Sequence, residues 1–487
     1  MRSYEQLLGA EGRRVFFRAE RFRAKDLLSP GLVTLDVNGE PLRLIDFSLS
    51  GIAAVDGPAG DWSDRVGETV EIRIGIGQET AHQGRARVAR VESTAMGQKL
   101  GVQFVEGYLD VSQLMARHEE ALLRQELNGG LQAEVDGVCP GYRQLCADVV
   151  YFLRRYKAAL GRVAETEEPA AGTRRNRHRL DEILDHCEET AIPDWRRLWQ
   201  RGNELVASVM DDPEKLRAVK RFTELVVTPE FMAAPIWQRG YEKPLGYPGD
   251  FQLMKQVYDW ERIGDTAYGR LVHRLGLEVA ECIATRMVSI KQTIADTVAT
   301  AEGNGRVNIL SLGCGPAQEV ANYLRVPRLE RPVAFTLVDQ DQSALSLAYE
   351  QTLPEVMRHG GLAAVSCLHV SFTQLLKAWS IVGELPTQDL IYSVGLIDYL
   401  ALRRARPLIA TLYGQLKPGG RLVIGNMRDT PMSNIWPMEF ICDWSVIYRD
   451  EAGMRALAEG LSPAPEIEAV RPDRTGRVYL LYLRRPA

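Results

Sequence analysis

Three textures of apolar and polar positions succeed one another along the chain. From about Gly31 to Phe104, short runs alternate: LVTLDV, LRLIDFSL, TVEIRIGI, RARVARVE and LGVQFV, separated by turn residues such as Asn38-Gly39 and Gly57-Pro58. Alternation places every second side chain on one face, so these runs predict the closely spaced strands of a small antiparallel sheet or barrel. From about Val111 to Thr300 apolar residues recur three and four apart, as in VSQLMARHEEALLRQEL, YRQLCADVVYFLRRYKAAL and WRRLWQRGNELVASVM. That is the period of helices with one buried stripe. Asp211-Asp212-Pro213 predicts a fresh helix start, because a short carboxylate caps backbone N–H groups and proline fits the first turn. Ala164 to Arg179 carries almost no apolar residue and predicts an exposed, mobile loop.

Beyond Gly305, apolar strands (VNILSL, AFTLVD, DLIYSV, RLVIGNM) alternate with helical stretches such as QEVANYL and ARPLIATLYGQL. That order predicts a parallel sheet covered by helices, and the tail AVRPDRTGRVYLLYLRRP predicts a hairpin on its edge. The expected fold class is multidomain. A small antiparallel β-barrel over 10–110 is followed by an α-helical middle region over 111–300 and an α/β, Rossmann-like domain over 301–487.

Composition narrows the function classes. The chain has 487 residues, more than one ordinary core organises. A net charge of −5 without a basic stripe argues against nucleic acid as partner or substrate. No window approaches the ~18 apolar residues of a membrane span. The N-terminus lacks the apolar stretch of a secretory signal. The seven cysteines include no CxxC pair and the seven histidines no HxxxH pair, so neither a disulfide framework nor a metal is expected. These features predict a cytoplasmic protein. They leave its oligomeric state open.

The sharpest chemistry lies at Asn308 to Glu319, NILSLGCGPAQE. An apolar strand enters a glycine turn and a helix follows. Gly313 and Gly315 lack a Cβ and so admit a ligand against the backbone. Ala317 and Gln318 stand where a dinucleotide fingerprint would continue, which weakens a nicotinamide or flavin reading. A second strand ends at Leu337-Val338-Asp339, where a carboxylate can accept from both hydroxyls of a ribose. Asp341 is a second acceptor or a helix cap. Ser371 follows a third strand, placed to flank an adenine. LSLGCGPAQE, LVDQD and LKPGGRLVIGN together resemble the ordered motifs of class I S-adenosylmethionine-dependent methyltransferases. The resemblance implies that Gly313, Gly315, Asp339 and Ser371 bind S-adenosyl-L-methionine.

Upstream, GYPGDFQLMKQVY (Gly246 to Tyr258) predicts a turn and a helix capped by Asp250. With YSVGLIDYL (Tyr392 to Leu400) it is similar to a methyltransferase subfamily that makes 3-hydroxypalmitic acid methyl ester, a quorum-sensing signal. That resemblance implies a small-molecule acceptor of the fatty-acid type, methylated on its carboxylate. It also implies that Tyr247 and Asp250 close the cofactor pocket, while Tyr247, Asp398 and Tyr399 are candidates on the catalytic, acceptor side. Trp195, Trp199, Trp237 and Trp260 are either the wall of an acceptor tunnel or ordinary core aromatics. No general base stands out.

Near the N-terminus, Arg14 and Arg18 form RxxxR, and Asp46, Ser48 and Gly51 form DxSxxG between two strands, before the closing LGVQF. Guanidiniums grip phosphates and stack on purines, and a short carboxylate accepts from a guanine edge. The set resembles the PilZ domain, a barrel that binds cyclic di-GMP. That implies binding of the messenger by Arg14, Arg18, Asp46, Ser48 and Gly51, with cyclic di-GMP as an allosteric ligand. The segment Phe22 to Pro30 between the arginines and the first clear strand is long and partly polar. A docking barrel without ligand remains an alternative for this module. For the whole chain the alternative is a noncatalytic cyclic di-GMP effector that binds S-adenosylmethionine and regulates a protein partner.

Overall fold

The computed structural model describes residues 21–29, 31–55, 62–77, 79–94, 97–165, 174–326, 328–370 and 385–486. They divide into two compact units, Met1–Glu134 and Val135–Ala487.

In the first unit the strands are β1 (Arg21–Arg23), β2 (Val33–Val37), β3 (Glu40–Ser48), β4 (Gly51–Val55), β5 (Thr69–Ile76), β6 (Glu79–Thr94) and β7 (Gly97–Phe104). Their order is β1-β3-β2-β5-β6-β7-β4, and β4 pairs back onto β3. Six antiparallel strands therefore close a barrel, which leaves no open edge among them. The inward positions fill it with Val37, Phe47, Ile52, Trp62, Ile72 and Val88, among others. The alternating runs locate five of the strands. The sixth, β4, escapes the pattern because its first four residues are all buried, so the sequence GIAAV shows no alternation. Part of the polar segment after Phe22 is also ordered. β1 pairs with the end of β3, Phe22 opposite Phe47, and a helical turn Ala24–Leu27 follows. A 3-10 turn, Ser63–Arg65, precedes β5, and the helix Val111–Asp136 follows the barrel.

The second unit combines helices with a seven-stranded sheet. Its strands are β8 (Val307–Leu312), β9 (Val333–Asp339), β10 (Ala363–His369), β11 (Gln388–Ser393), β12 (Leu416–Met427), β13 (Glu466–Pro472) and β14 (Val478–Arg484), in the order β10-β9-β8-β11-β12-β14-β13. The first five are parallel, and β14 runs antiparallel to both of its neighbours. The terminal hairpin sits on the edge, as its sequence predicts. The chain steps outward from β8 to β10, then returns to β11 on the other side of β8. Such a reversal opens a crevice at the carboxyl ends of the strands.

Helices Pro140–Glu165, Arg174–Ala207 and Ala267–Thr300 share one apolar core with the sheet. Asp212 caps the next helix, Pro213–Val226, through the N–H groups of Glu214 and Lys215, with proline at its first turn. The expected loop at 164–179 is shorter than predicted. Helices take up Ala164, Glu165 and Arg174 to Arg179, because low apolar content does not by itself forbid an exposed helix.

The tryptophans settle as core. Trp195 packs against Trp237, Trp436 and Phe231 with ring centres 6.0, 5.8 and 5.4 Å apart, and Trp199 is likewise buried. Trp260 lies at a helix end, 38% exposed. None of the four lines the cavity described below, so the tunnel-wall reading is corrected.

Candidate functional site

A cavity of about 420 Å³ opens where the strand order reverses. Its floor is the turn after β8. Gly313 and Gly315 have φ of +66° and +52°, a backbone region that side chains with a Cβ resist. Gly313 N–H donates to Val338 O at 2.8 Å, which ties the turn to the end of β9. Asp339 stands at that end and lines the cavity. Its Oδ2 accepts from Gly315 N–H at 2.8 Å and its Oδ1 from Asp341 N–H at 3.0 Å. A carboxylate offers about four lone-pair sites, so two contacts leave capacity for a ligand. Burial pushes the Asp339 carboxyl above its ordinary range, and the backbone donors hold it partly back.

Asp341 is the cap its position suggested, accepting from Ser343 and Ala344 N–H. Its other oxygen accepts from Tyr247 Oη–H at 2.7 Å, which draws the GYPGDF loop over the cavity. Burial first, and then this carboxylate, push the Tyr247 hydroxyl upward, so it stays a donor. Gly249 in the same loop has φ +69°, and a Cβ there would stand 2.5 Å from the Trp444 ring. Only glycine fits both the turn and that contact. Asp250 is placed differently from the other upstream candidate. It is buried and caps helix Phe251–Asp259 through Gln252 and Leu253 N–H, and it pairs with Arg239 at 2.7 Å. Gly249 and Phe251 line the cavity on either side of it; Asp250 does not.

Asp398 and Tyr399 lie beyond β11 and both line the cavity. Asp398 accepts from Met427 N–H at 2.6 Å, and its Oδ2 is 3.8 Å from Arg286 Nη1. Burial raises its carboxyl to about 6 despite the nearby guanidiniums of Arg286 and Arg449. The Tyr399 hydroxyl accepts from Trp444 Nε1–H at 2.9 Å. Arg449 locks this loop to the sheet by donating to the carbonyls of Ile397 and Leu400 and to Asn426. Gly313, Gly315, Asp339, Tyr247, Asp398 and Tyr399 thus meet around one cavity. Ser371 lies outside the described residues, although its neighbour Val370 lines the cavity.

Sequence reading missed several lining groups. Glu319, in the first turn of helix Gln318–Leu324, is buried and accepts from Tyr392 Oη–H at 2.8 Å; burial pushes its carboxyl up. Arg286 projects from the long helix before β8. Its one available signal was a charge three residues after Ile283 and four before Ile290, both buried, on a face that should be apolar. Met254, Met427, Met438 and Val446 make the rest of the wall largely apolar, and their separation in sequence left no local motif.

In the barrel, Asp46 is half-buried on β3, opposite Arg23 of β1 and Ala53 of β4. Ser48 is buried, and its Oγ–H donates to Gly51 O at 3.0 Å, closing the β3–β4 turn. A Cβ on Gly51 would lie 2.3 Å from Val102 O, so glycine here serves close packing against β7. Arg14 and Arg18 lie outside the described residues.

Among the described residues no helix is long and apolar enough to cross a membrane, and no cluster of metal-ligating side chains occurs. Solved structures that the chain matches include the N-methyltransferase NodS from Bradyrhizobium japonicum WM9 in complex with S-adenosyl-L-homocysteine. It is 17% identical over 41% of this chain and 87% of its own, with a TM-score of 0.29. Magnesium protoporphyrin IX methyltransferase from Synechocystis PCC 6803 with bound SAH is 13% identical over 51% of this chain and 98% of its own, TM-score 0.35. An O-methyltransferase family protein from Burkholderia thailandensis is 18% identical over 55% and 71%, TM-score 0.31. No curated protein matches the chain. The amino-terminal barrel matches the PilZ domain family over residues 13–119, so this part of the chain is a PilZ domain.

Proposed function

We propose that the second unit binds S-adenosylmethionine and transfers its methyl group to a small apolar acceptor, a fatty-acid carboxylate, under control of cyclic di-GMP bound by the PilZ domain. One observation carries this reading. Asp339, with acceptor capacity to spare, faces a glycine turn at the point where the strand order reverses, and the cavity beyond it is mostly apolar. The residues present suit an adenosyl sulfonium. Gly313 and Gly315 leave backbone open to its close approach, and Asp339 offers oxygens to ribose hydroxyls. When bound, the sulfonium supplies an electrophilic methyl group.

The chain's own residues then do three things. Tyr247, held on Asp341, closes the roof and excludes water. Tyr399, Trp444 and Met438 shape the acceptor side. The walls orient the acceptor in line with the methyl group, which is where the rate gain arises. A carboxylate acceptor is ionised at neutral pH and requires no base. In the barrel, Asp46, Ser48 and Gly51, together with Arg14 and Arg18, would hold the messenger.

Turnover tests the proposal. Purified full-length protein given S-adenosylmethionine and a 3-hydroxy fatty acid should release S-adenosylhomocysteine and a methyl ester, at a rate that cyclic di-GMP changes. Cofactor binding without release, across a panel of fatty acids, would instead favour a noncatalytic effector.

A further inference from the structure

The second unit buries several arginines, and two of them show how the fold normally satisfies such a group. Arg449 donates to the carbonyls of Ile397 and Leu400 and to Asn426. Arg477 donates to the carbonyls of Val279 and Glu278 and to Asn434. Arg286 differs. It is 8% exposed and lines the cavity, yet its guanidinium makes no hydrogen bond among the described residues. Its nearest acidic oxygen, Asp398 Oδ2, is 3.8 Å away, beyond hydrogen-bond reach. Gly395 lies beneath Nη2, where even a Cβ would come within 3.0 Å. A guanidinium carries five N–H donors, and those of Arg286 that reach the cavity are open to the acceptors of a ligand. Both the position and the missing acceptors suit a group that receives its partner with a ligand.

We propose that Arg286 binds a carboxylate brought into the cavity by a ligand. The planar fork of a guanidinium matches a carboxylate in a bidentate arrangement. A phosphate would match it too, but Glu319, Asp339 and Asp398 line the same cavity and repel a dianion, and most of the remaining wall is apolar. The fitting ligand therefore has one negative charge on a largely neutral or apolar body. Two molecules in the proposed reaction answer that description, so the inference rests on the methyltransferase reading. One is the amino-acid end of S-adenosylmethionine, whose ammonium would find Glu319 in the same cavity. The other is the acid head of the acceptor.

Calorimetry on the full-length chain separates the two. S-adenosylmethionine and its decarboxylated analogue are titrated into the wild type, Arg286→Lys and Arg286→Gln; decanoate and decanol are titrated in the presence of S-adenosylhomocysteine. If the cofactor supplies the carboxylate, the wild type binds the decarboxylated analogue roughly 10- to 100-fold more weakly, and Arg286→Gln erases that preference. If the acceptor supplies it, cofactor affinity is the same in all three proteins. Decanoate then weakens by a similar factor in Arg286→Gln, with Arg286→Lys in between and decanol unaffected. The wild type's preference for a carboxylate requires no substitution, so misfolding of a variant cannot mimic it. A wild type that binds S-adenosylmethionine but prefers neither carboxylate-bearing ligand overturns the role of Arg286. A wild type that binds no S-adenosylmethionine overturns the methyltransferase reading itself.

Discussion

Replacing Asp398 with asparagine should stabilise the free protein at alkaline pH. Asp398 is 3% exposed, and its carboxyl is held at about 6 against an ordinary 3.8. Burial is the main cause; Arg286, the Met427 N–H and Arg449 recover part of the cost. The folded chain thus holds this proton more tightly than the unfolded chain. The contribution to stability is fully present below about pH 4 and is lost as pH rises through about 6. Above that, keeping the group ionised costs about 3 kcal/mol relative to a neutral one, because a tenfold change in proton affinity corresponds to about 1.36 kcal/mol. Asparagine is the neutral stand-in, and its Oδ1 can still accept from Met427 N–H. Asp398→Asn should therefore be more stable than wild type at pH 8 by up to about 3 kcal/mol, with the advantage growing by about 1.4 kcal/mol from pH 5 to pH 8. Urea unfolding followed by tryptophan fluorescence at both pH values measures this. An advantage that is constant or shrinks with rising pH would refute the argument that burial outweighs the guanidiniums.

Asp339→Asn should weaken S-adenosylmethionine binding by roughly 30-fold or more, since hydrogen bonds to a charged acceptor contribute about 1.5–3 kcal/mol each. Because burial raises the Asp339 carboxyl, wild-type affinity should begin to fall with decreasing pH sooner than an ordinary carboxylate would dictate. Calorimetry across pH checks both, and equal affinity in the variant rules out the ribose contact. Gly249→Ala puts a Cβ 2.5 Å from the Trp444 ring at a φ of +69°, a strain of order 1–3 kcal/mol. It should lower the melting temperature and raise KM for the acceptor; an unchanged KM would mean the roof loop does not bound the acceptor side. Gly51→Ala drives a Cβ to 2.3 Å from Val102 O and should destabilise the barrel by about 1–3 kcal/mol. Limited proteolysis of the PilZ domain should show this, and undiminished resistance would argue that β4 and β7 part easily.

How much of this was legible in the sequence depends on the range of the interactions. The turn at Gly313 and Gly315, the carboxylate at Asp339 and the caps at Asp212, Asp250 and Asp341 depend on a few consecutive residues, and each stands where local chemistry put it. The alternation of strands and helices predicts the parallel sheet, but the strand order and its reversal rest on pairings between distant segments and are not readable from it. Asp250 shows the limit of such reasoning. Its motif neighbours line the cavity, but an N-cap points its carboxylate at its own helix, and Arg239 occupies what is left. β4 was invisible because a strand buried on both faces has no alternation to read. The tryptophans were ambiguous because helical spacing fixes which residues share a face, not whether that face meets a cavity or a core.

The cavity wall outside the glycine turn is the least legible part, for a physical reason. It comes from Met254 and Tyr258 on one helix, Ile283 and Arg286 on another, and Met438, Trp444 and Val446 from the segment after β12. The segment after β12 is held by packing against helices Pro140–Glu165 and Arg174–Ala207. Asn203 donates to the carbonyls of Pro431 and Ser433 and accepts from Trp436 N–H, while Trp199 donates to Ser433 O. Trp436 Nε1–H donates to Tyr142 Oη at 2.9 Å, and its ring lies where a Cβ on Gly202 would be. These contacts join helix to post-strand segment as one buried lattice, and close-packed interiors transmit displacement. The glycine turn and Asp339 are fixed by short-range geometry. The rest of the wall is fixed by long-range contacts, so under the proposed methyltransferase reading a change in that packing alters the acceptor while the glycine-turn motif stays the same.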